Sequence, residues 1–250
     1  MHRFYIPSEA ISGDSITFSK NQSHQIINVL RMAPGNSLVV FDGQGGEFEV
    51  GLSNMQVGPL IGKIIKNLPS HDVMKIAISL FISPIKQDHF EYVLQKSTEI
   101  GVRSITPVIS SRTIINLPDW NKKIERWRRI IIEAAEQSRC SRLPELHEPV
   151  NFQNAFLSTN SLDRCYIAWE NEQSQNLVTH ILKDPYPCPR KVGLCIGPEG
   201  GYSATEITRA KEAKFIPVSL GSQILRSETA AIVGTSLLIN LLTYLWSSRN

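Results

Sequence analysis

Two short loops hold the residues of this chain whose types and spacing could do chemistry. The first reads Ile196-Gly197-Pro198-Glu199-Gly200-Gly201-Tyr202-Ser203. Its glycines let the backbone approach a ligand and adopt positive φ, and Pro198 stiffens the turn. Ser203 and Glu206 form an S-x-x-E capping box, so a helix starts just beyond. The second loop reads Gly221-Ser222-Gln223-Ile224-Leu225-Arg226-Ser227-Glu228-Thr229-Ala230. Ile224 and Leu225 are apolar in a polar stretch, as if to line a pocket, and Arg226 adds a forked, permanent positive charge. Ser227 or Glu228 suits the first turn of a following helix. An ordinary strand–turn–helix connection and a surface ion pair would account for the same residues, so their position in the fold matters.

Other chemistries lack their residues. No G-x-G-x-x-G occurs, and Gly62-Lys63 has neither the upstream glycine nor the following Ser/Thr of a phosphate loop. Gly193-Leu194-Cys195-Ile196-Gly197 imitates a nucleophile elbow, but His2, His24, His71, His89, His147 and His180 all precede Cys195. Cys195 is therefore expected as a small buried strand residue. Cys140, Cys165, Cys188 and Cys195 show no C-x-x-C pair, and neither a structural metal nor a disulfide framework is expected.

The elements that must position these loops change rhythm near Leu68-Pro69-Ser70. Before it come a helix over Asn21–Met32 and glycine-punctuated strands at Ser37–Asp42, Glu47–Leu52 and Leu60–Lys66, the pattern of a small β-rich domain over 1–70. In 71–250, strands at Lys75–Ile82, Ser104–Val108, Cys165–Trp169, Lys191–Ile196 and Phe215–Leu220 alternate with helices at Lys86–Ile100, Lys122–Arg139, Gln173–Leu182 and Ala204–Ala213. A long C-terminal helix ends the chain. This alternation predicts a mostly parallel α/β sheet. Ligand sites of such sheets lie beyond the strands' carboxyl ends, here the loops after Trp169, Ile196 and Leu220. Ala230–Trp246 is the most apolar stretch, but Ser236, Asn240, Thr243 and Ser247 form a polar stripe that fits a buried or interface helix better than a membrane span. A soluble protein of a reducing compartment is expected.

The 250 residues carry 26 Lys+Arg against 23 Asp+Glu, too even a balance for bulk charge to indicate a nucleic-acid partner. Local clusters are the relevant scale. Within Lys122–Arg142 the middle of the helix reads as a solvated face with internal ion pairs, leaving Arg139 and Arg142 as candidate RNA contacts. Arg3 lies in an aromatic-flanked arm, and His24 and Arg31, seven apart, fall on one face of the expected helix. Lys96 and Glu99 read as a local ion pair.

Taken together, the segments resemble the ribosomal-RNA uridine-N3 methyltransferases of the RsmE type, in the SPOUT superfamily. The resemblance rests on His24…Val29-Leu30-Arg31-Met32, Phe41-Asp42-Gly43, Lys86, and Gln95-Lys96…Glu99-Ile100-Gly101-Val102. It continues through Ala134-Ala135-Glu136-Gln137-Ser138, Leu143-Pro144-Glu145 and the two loops. It implies an N-terminal PUA-like β-barrel that binds RNA, and a C-terminal domain with a deep trefoil knot, an exception to unthreaded connections. It further implies a cytoplasmic homodimer, no metal, the cofactor S-adenosylmethionine, and a specific uridine of small-subunit (16S) rRNA as substrate. The cofactor residues would be Trp169, Glu170, Ile196, Gly197, Gly200, Gly201, Leu220, Gly221, Gln223, Ile224 and Leu225. Arg226 would orient the base, with Glu199 or Glu228 as proton acceptor, and Arg3, His24, Arg31, Arg139 and Arg142 would contact RNA. Ser222, Gln223, Ser227 and Cys140 depart from residues common in that family. A catalytically silent RNA-binding protein on this scaffold, or methylation of another RNA position, are the alternatives.

Overall fold

A computed structural model describes residues 1–54, 59–69, 76–114, 120–183 and 188–249. Expectations for Ser70 to Lys75 lie outside these residues. The chain forms two compact units, Met1–Val73 with Ile132–Leu143, and Met74–Ile131 with Pro144–Asn250.

Strand β1 (Arg3–Tyr5), β2 (Ile11–Ser12), β3 (Ser15–Thr17), β4 (Ser37–Phe41), β5 (Glu47–Asn54) and β6 (Ile61–Leu68) form one sheet in the order β1-β4-β5-β6-β3-β2. β1 pairs parallel to β4, and the remaining neighbours are antiparallel. Alternation in β4 sends Leu38 and Val40 inward onto Phe4, Ile16, Phe18 and Val50. Register shifts between β5 and β6, at Glu49/Val50 and Leu52/Asn54, bend this sheet. The expected strands at residues 37, 47 and 60 are present, and β1 to β3 are additional.

The helix expected over Asn21–Met32 is shorter. α1 (Lys20–His24) starts with a Ser19/Gln22 capping box and passes into a π-turn at Gln25–Val29, where Leu30 N donates to Gln25 O at 2.9 Å. Arg31 then takes φ 52°, outside the helix. His24 and Arg31 therefore do not share one helical face, because the wider turn and the left-handed residue break the 3.6-residue repeat.

Arg3 also requires a correction. Its guanidinium forks onto Glu47, Nη1 to Oε2 at 2.9 Å and Nη2 to Oε1 at 3.2 Å, and lies 4.5 Å from the centre of the Phe41 ring. The side chains are 9% and 2% exposed. Arg3 is thus held in the fold by Glu47, with little of its side chain left exposed. Beside it, Tyr5 N donates to Glu136 Oε1 at 2.9 Å, and burial pushes the Glu136 pKa up.

The second unit is built on β7 (Ala77–Ile82), β8 (Ser104–Ile109), β9 (Glu145–Leu146), β10 (Val150–Asn151), β11 (Arg164–Ala168), β12 (Lys191–Ile196) and β13 (Ile216–Val218). All pairings are parallel, in the order β10-β8-β7-β12-β11-β13, with β9 also on β8. β8, β9 and β10 lie on one side of β7, and after β10 the chain resumes on the other side at β11. Connections from β7 and β12 thus run in opposite directions, a topological switch between them. The helices are α2 (Gln87–Ile100), α3 (Trp120–Ser138, whose last turns belong to the first unit), α4 (Phe152–Ala155), α5 (Leu177–Lys183), α6 (Ala204–Glu212) and α7 (Ser227–Arg249).

α7 packs on α2, β7 and β12, and buries Ala231, Thr235, Leu238 and Leu242. Gly234 permits the close approach, since a Cβ there would lie 2.7 Å from Leu194 Cδ2. Asn240, Thr243 and Ser247 of the polar stripe are exposed. By length and composition alone α7 could cross a membrane; in this fold, one side of it is committed to the sheet and α2. Lys96 and Glu99 pair at 2.8 Å, as expected. In the basic helix, Arg126 forks onto Glu91 at 2.6 and 2.8 Å, and this hydrogen bonding holds Glu91 below the usual carboxylate range. Cys195 is buried in β12, where desolvation pushes its thiol pKa well up.

The Arg3–Glu47 pair gives a stability prediction. Glu47→Ala strands a buried guanidinium, and should lower stability by about 3 kcal/mol, read from the urea midpoint.

Candidate functional site

The carboxyl ends of β11, β12 and β13 release three chain segments: Trp169-Glu170, Gly197–Ser203 and Ser219–Arg226. The middle segment is a tight turn. Gly201 N donates to Pro198 O at 2.8 Å, and Gly201 takes φ 66°. A Cβ at Gly201 would meet the Glu170 carboxylate, the mobile end of a side chain, so it is the left-handed φ that favours glycine here.

Ser203 and Glu206 make the expected capping box at the start of α6. Glu206 has a second role: its carboxylate also accepts from Ser111 N at 2.8 Å and Ser111 Oγ at 2.9 Å. The neighbouring Arg112 donates from Nη1 to Gly200 O at 2.8 Å. The loop after β8 therefore buttresses the glycine turn. Burial acts to raise the Glu206 pKa, but hydrogen bonds from Ser111 and Ser203 outweigh it and hold the carboxyl below its ordinary value.

Two adjoining clefts open at these segments. The first has an empty volume of about 640 Å³ and is lined by Trp169, Glu170, Ile196, Gly197, Gly201, Leu220, Gly221, Gln223, Ile224 and Leu225, among others. Every residue expected to hold a cofactor is here except Gly200, which lines the second cleft. Ile224 is 83% exposed, an apolar side chain left uncovered at the cleft. Gly221 takes φ 149°, with nothing within 4 Å of where its Cβ would stand. The Trp169 Nε1–H is buried with no partner among the described residues. Among the described residues, no lysine or arginine lines this cleft, and Glu170 is its one acidic side chain. Apolar walls, main-chain polar groups and a single carboxylate suit a neutral or cationic ligand.

The second cleft, of about 1100 Å³, shares Glu170, Pro198, Gly201, Ile224, Leu225 and Ser227 with the first. Glu199, Arg226 and Glu228 line it together, as do Lys86 and His89 from the start of α2. Arg226 and Glu199 are exposed, and Arg226 pairs with no carboxylate among the described residues. Lys86 was noted above only for its resemblance, and His89 only as a histidine in the wrong chain order for an elbow. Both follow the carboxyl end of β7, and the rule that singled out the other three loops applies equally there.

The remaining expected residues belong to the first unit. His24, Arg31 and Arg139 are exposed, with Arg139 at φ 62° just past α3. Arg142 is half-buried, and its backbone bridges to Gly43 and Gln44.

A parallel sheet with a glycine turn and a cleft at its switch-side strand ends defines a ligand-binding α/β protein. The family described as "RNA methyltransferase domain" matches residues 73–239. The ribosomal RNA small subunit methyltransferase E of Synechocystis sp. is 30% identical over 93% of this chain and 75% of its own length. That of Buchnera aphidicola subsp. Schizaphis graminum is 31% identical over 94% of each. The crystal structure of the enzyme of that name from Neisseria gonorrhoeae, bound to S-adenosyl methionine, superposes with a TM-score of 0.83 at 29% identity, covering 98% of both chains. This chain belongs to the ribosomal RNA small subunit methyltransferase E family.

Glu206 supplies a test with a defined sign. Its folded-state pKa is depressed, so its contribution to stability is present above the ordinary carboxylate range and lost as pH falls through the folded value. Glu206→Gln should melt below the native protein at neutral pH, with the gap closing in acid; calorimetry across pH reads this.

Proposed function

We propose that this chain transfers a methyl group from S-adenosylmethionine to N3 of a uridine in small-subunit ribosomal RNA. The observation that carries the reading is the pairing of the two clefts: one without cationic side chains and rich in main-chain groups, the other lined by Arg226, Lys86 and carboxylates. Bound in the first, the cofactor supplies an electrophilic methyl group on a cationic sulfur. The residues there fit it: apolar walls at Ile224 and Leu225 for an adenine, the free Trp169 N–H and the glycine backbones for polar groups, and Glu170 for positive charge.

The chain's own work lies in the second cleft. Uridine N3 carries an imide proton, and becomes a good nucleophile only as that proton leaves. Glu199 or Glu228 takes it. The negative charge that develops spreads to O2 and O4 of the base, where the guanidinium of Arg226 stabilises it. The starts of α2 and α7 line the same cleft, and the positive ends of helices favour the same charge. Because N3 sits on the Watson–Crick edge, the target base must be unpaired or splayed out.

The bent β-rich unit serves as a PUA-like RNA-binding domain over 1–70 with His24 and Arg31 as contacts, joined by Arg139 and Arg142 from the 132–143 segment of the same unit. The 71–250 region is a knotted methyltransferase domain. A homodimer in the cytoplasm completes the proposal. It is supported by half-buried Ile232, Val233 and Leu237 and exposed Tyr244 on the side of α7 not spent on the core.

Arg226→Ala should reduce methyl transfer about 10²- to 10³-fold while leaving cofactor affinity within a few-fold, measured by transfer assay and calorimetry. Gly201→Ala should instead weaken cofactor binding. Nucleoside mass spectrometry of rRNA from cells lacking the gene should show loss of 3-methyluridine; its persistence refutes the proposal.

A further inference from the structure

One contact in the second cleft has no part in the chemistry set out above. Glu228, in the first turn of α7, has a side chain only 14% exposed, and its Oε1 lies 3.6 Å from Nδ1 of His89. His89 stands in the first turn of α2, with Nε2 3.7 Å from the exposed Asp88. Because α2 and α7 pack on one another, this contact joins the two helix starts that line the cleft.

Arg226 precedes Glu228 by two residues and lines the same cleft, yet the two side chains form no ion pair. A sheltered carboxylate attracts a nearby guanidinium strongly, and a forked pair between them would occupy the donors that the base needs. In the structure Glu228 faces the imidazole instead. We infer that His89 is a positioning residue, which engages Glu228 and so leaves Arg226 free for the substrate base.

The inference rests on the methyl-transfer reading and deepens it. It leaves Glu199, exposed at the same cleft, as the carboxylate available to the imide proton. His89 acts through Glu228 and Arg226, and the property that matters is its ability to hold a carboxylate. A cation of similar reach should replace it, whereas an apolar side chain, with no proton to donate, should not.

The test uses the full-length protein with small ribosomal subunits lacking the modification. His89→Leu should lower kcat about tenfold, with the KM for S-adenosylmethionine within about twofold of wild type. His89→Arg should recover most of the lost turnover. Melting curves and cofactor calorimetry establish that each variant is folded, and if His89→Leu fails to fold, the turnover of His89→Arg decides. A wild-type rate in His89→Leu overturns the inference, as does a folded His89→Arg that turns over no faster than His89→Leu. Wild-type protein that transfers no methyl to the subunits overturns the functional reading, and this inference with it. Active wild type with an unaffected His89→Leu overturns the inference alone.

Discussion

The glycine turn beyond β12 is held by one carboxylate. Glu206 caps its own helix through Ser203 and accepts two further hydrogen bonds from Ser111, so a single buried anion ties α6 to the loop after β8. Such charge-assisted bonds are stronger than neutral ones, and burial makes leaving them unmade costly. With that anchor in place, Arg112 can fix the Gly200 carbonyl, and Gly201 can take its left-handed turn beside Glu170. The walls of both clefts follow from this fixed turn. A loop so restrained presents its main-chain groups already oriented, and ordering it at the moment of binding costs little.

On the proposed function, the two clefts then separate binding from chemistry. They share Ile224, Leu225 and Gly201 as a common wall, but differ in charge. Permanent positive charge lies in the second cleft, where the proposed reaction develops an anion on the base. The carboxylates Glu199 and Glu228 stand within the same cleft in different settings, one exposed and the other sheltered behind His89. Two carboxyl groups in different environments can serve different ends.

The features legible in the sequence were those written in local chemistry. The S-x-x-E box at Ser203 and Glu206 fixed a helix start, the apolar pair Ile224 and Leu225 does line a cleft, and the pattern of buried strands located β12 and β7 closely. Features that depend on distant partners were not legible. Nothing around Arg3 announces Glu47, 44 residues away, so a structural arginine reads like a surface one. The π-turn after His24 is a small change of backbone hydrogen bonding that leaves the hydrophobic pattern intact while rotating everything beyond it. Strands as short as β2 and β3 carry too few residues to show alternation. His89 was missed because its significance lies in Glu228, on another helix far along the chain.

The charge of the first cleft has a consequence for the conditions inside a cell. Adenine nucleotides are abundant there and share the adenosine portion of the proposed cofactor. Among the described residues lining this cleft, a triphosphate would find no lysine or arginine and would face Glu170; the basic side chains stand in the adjoining cleft. Burying such charge without a partner is strongly unfavourable, whereas the cationic sulfur of the intended ligand gains from the same carboxylate. On the proposed reading, the acidic lining of this cleft thus favours a cationic adenosine derivative over a polyanionic one.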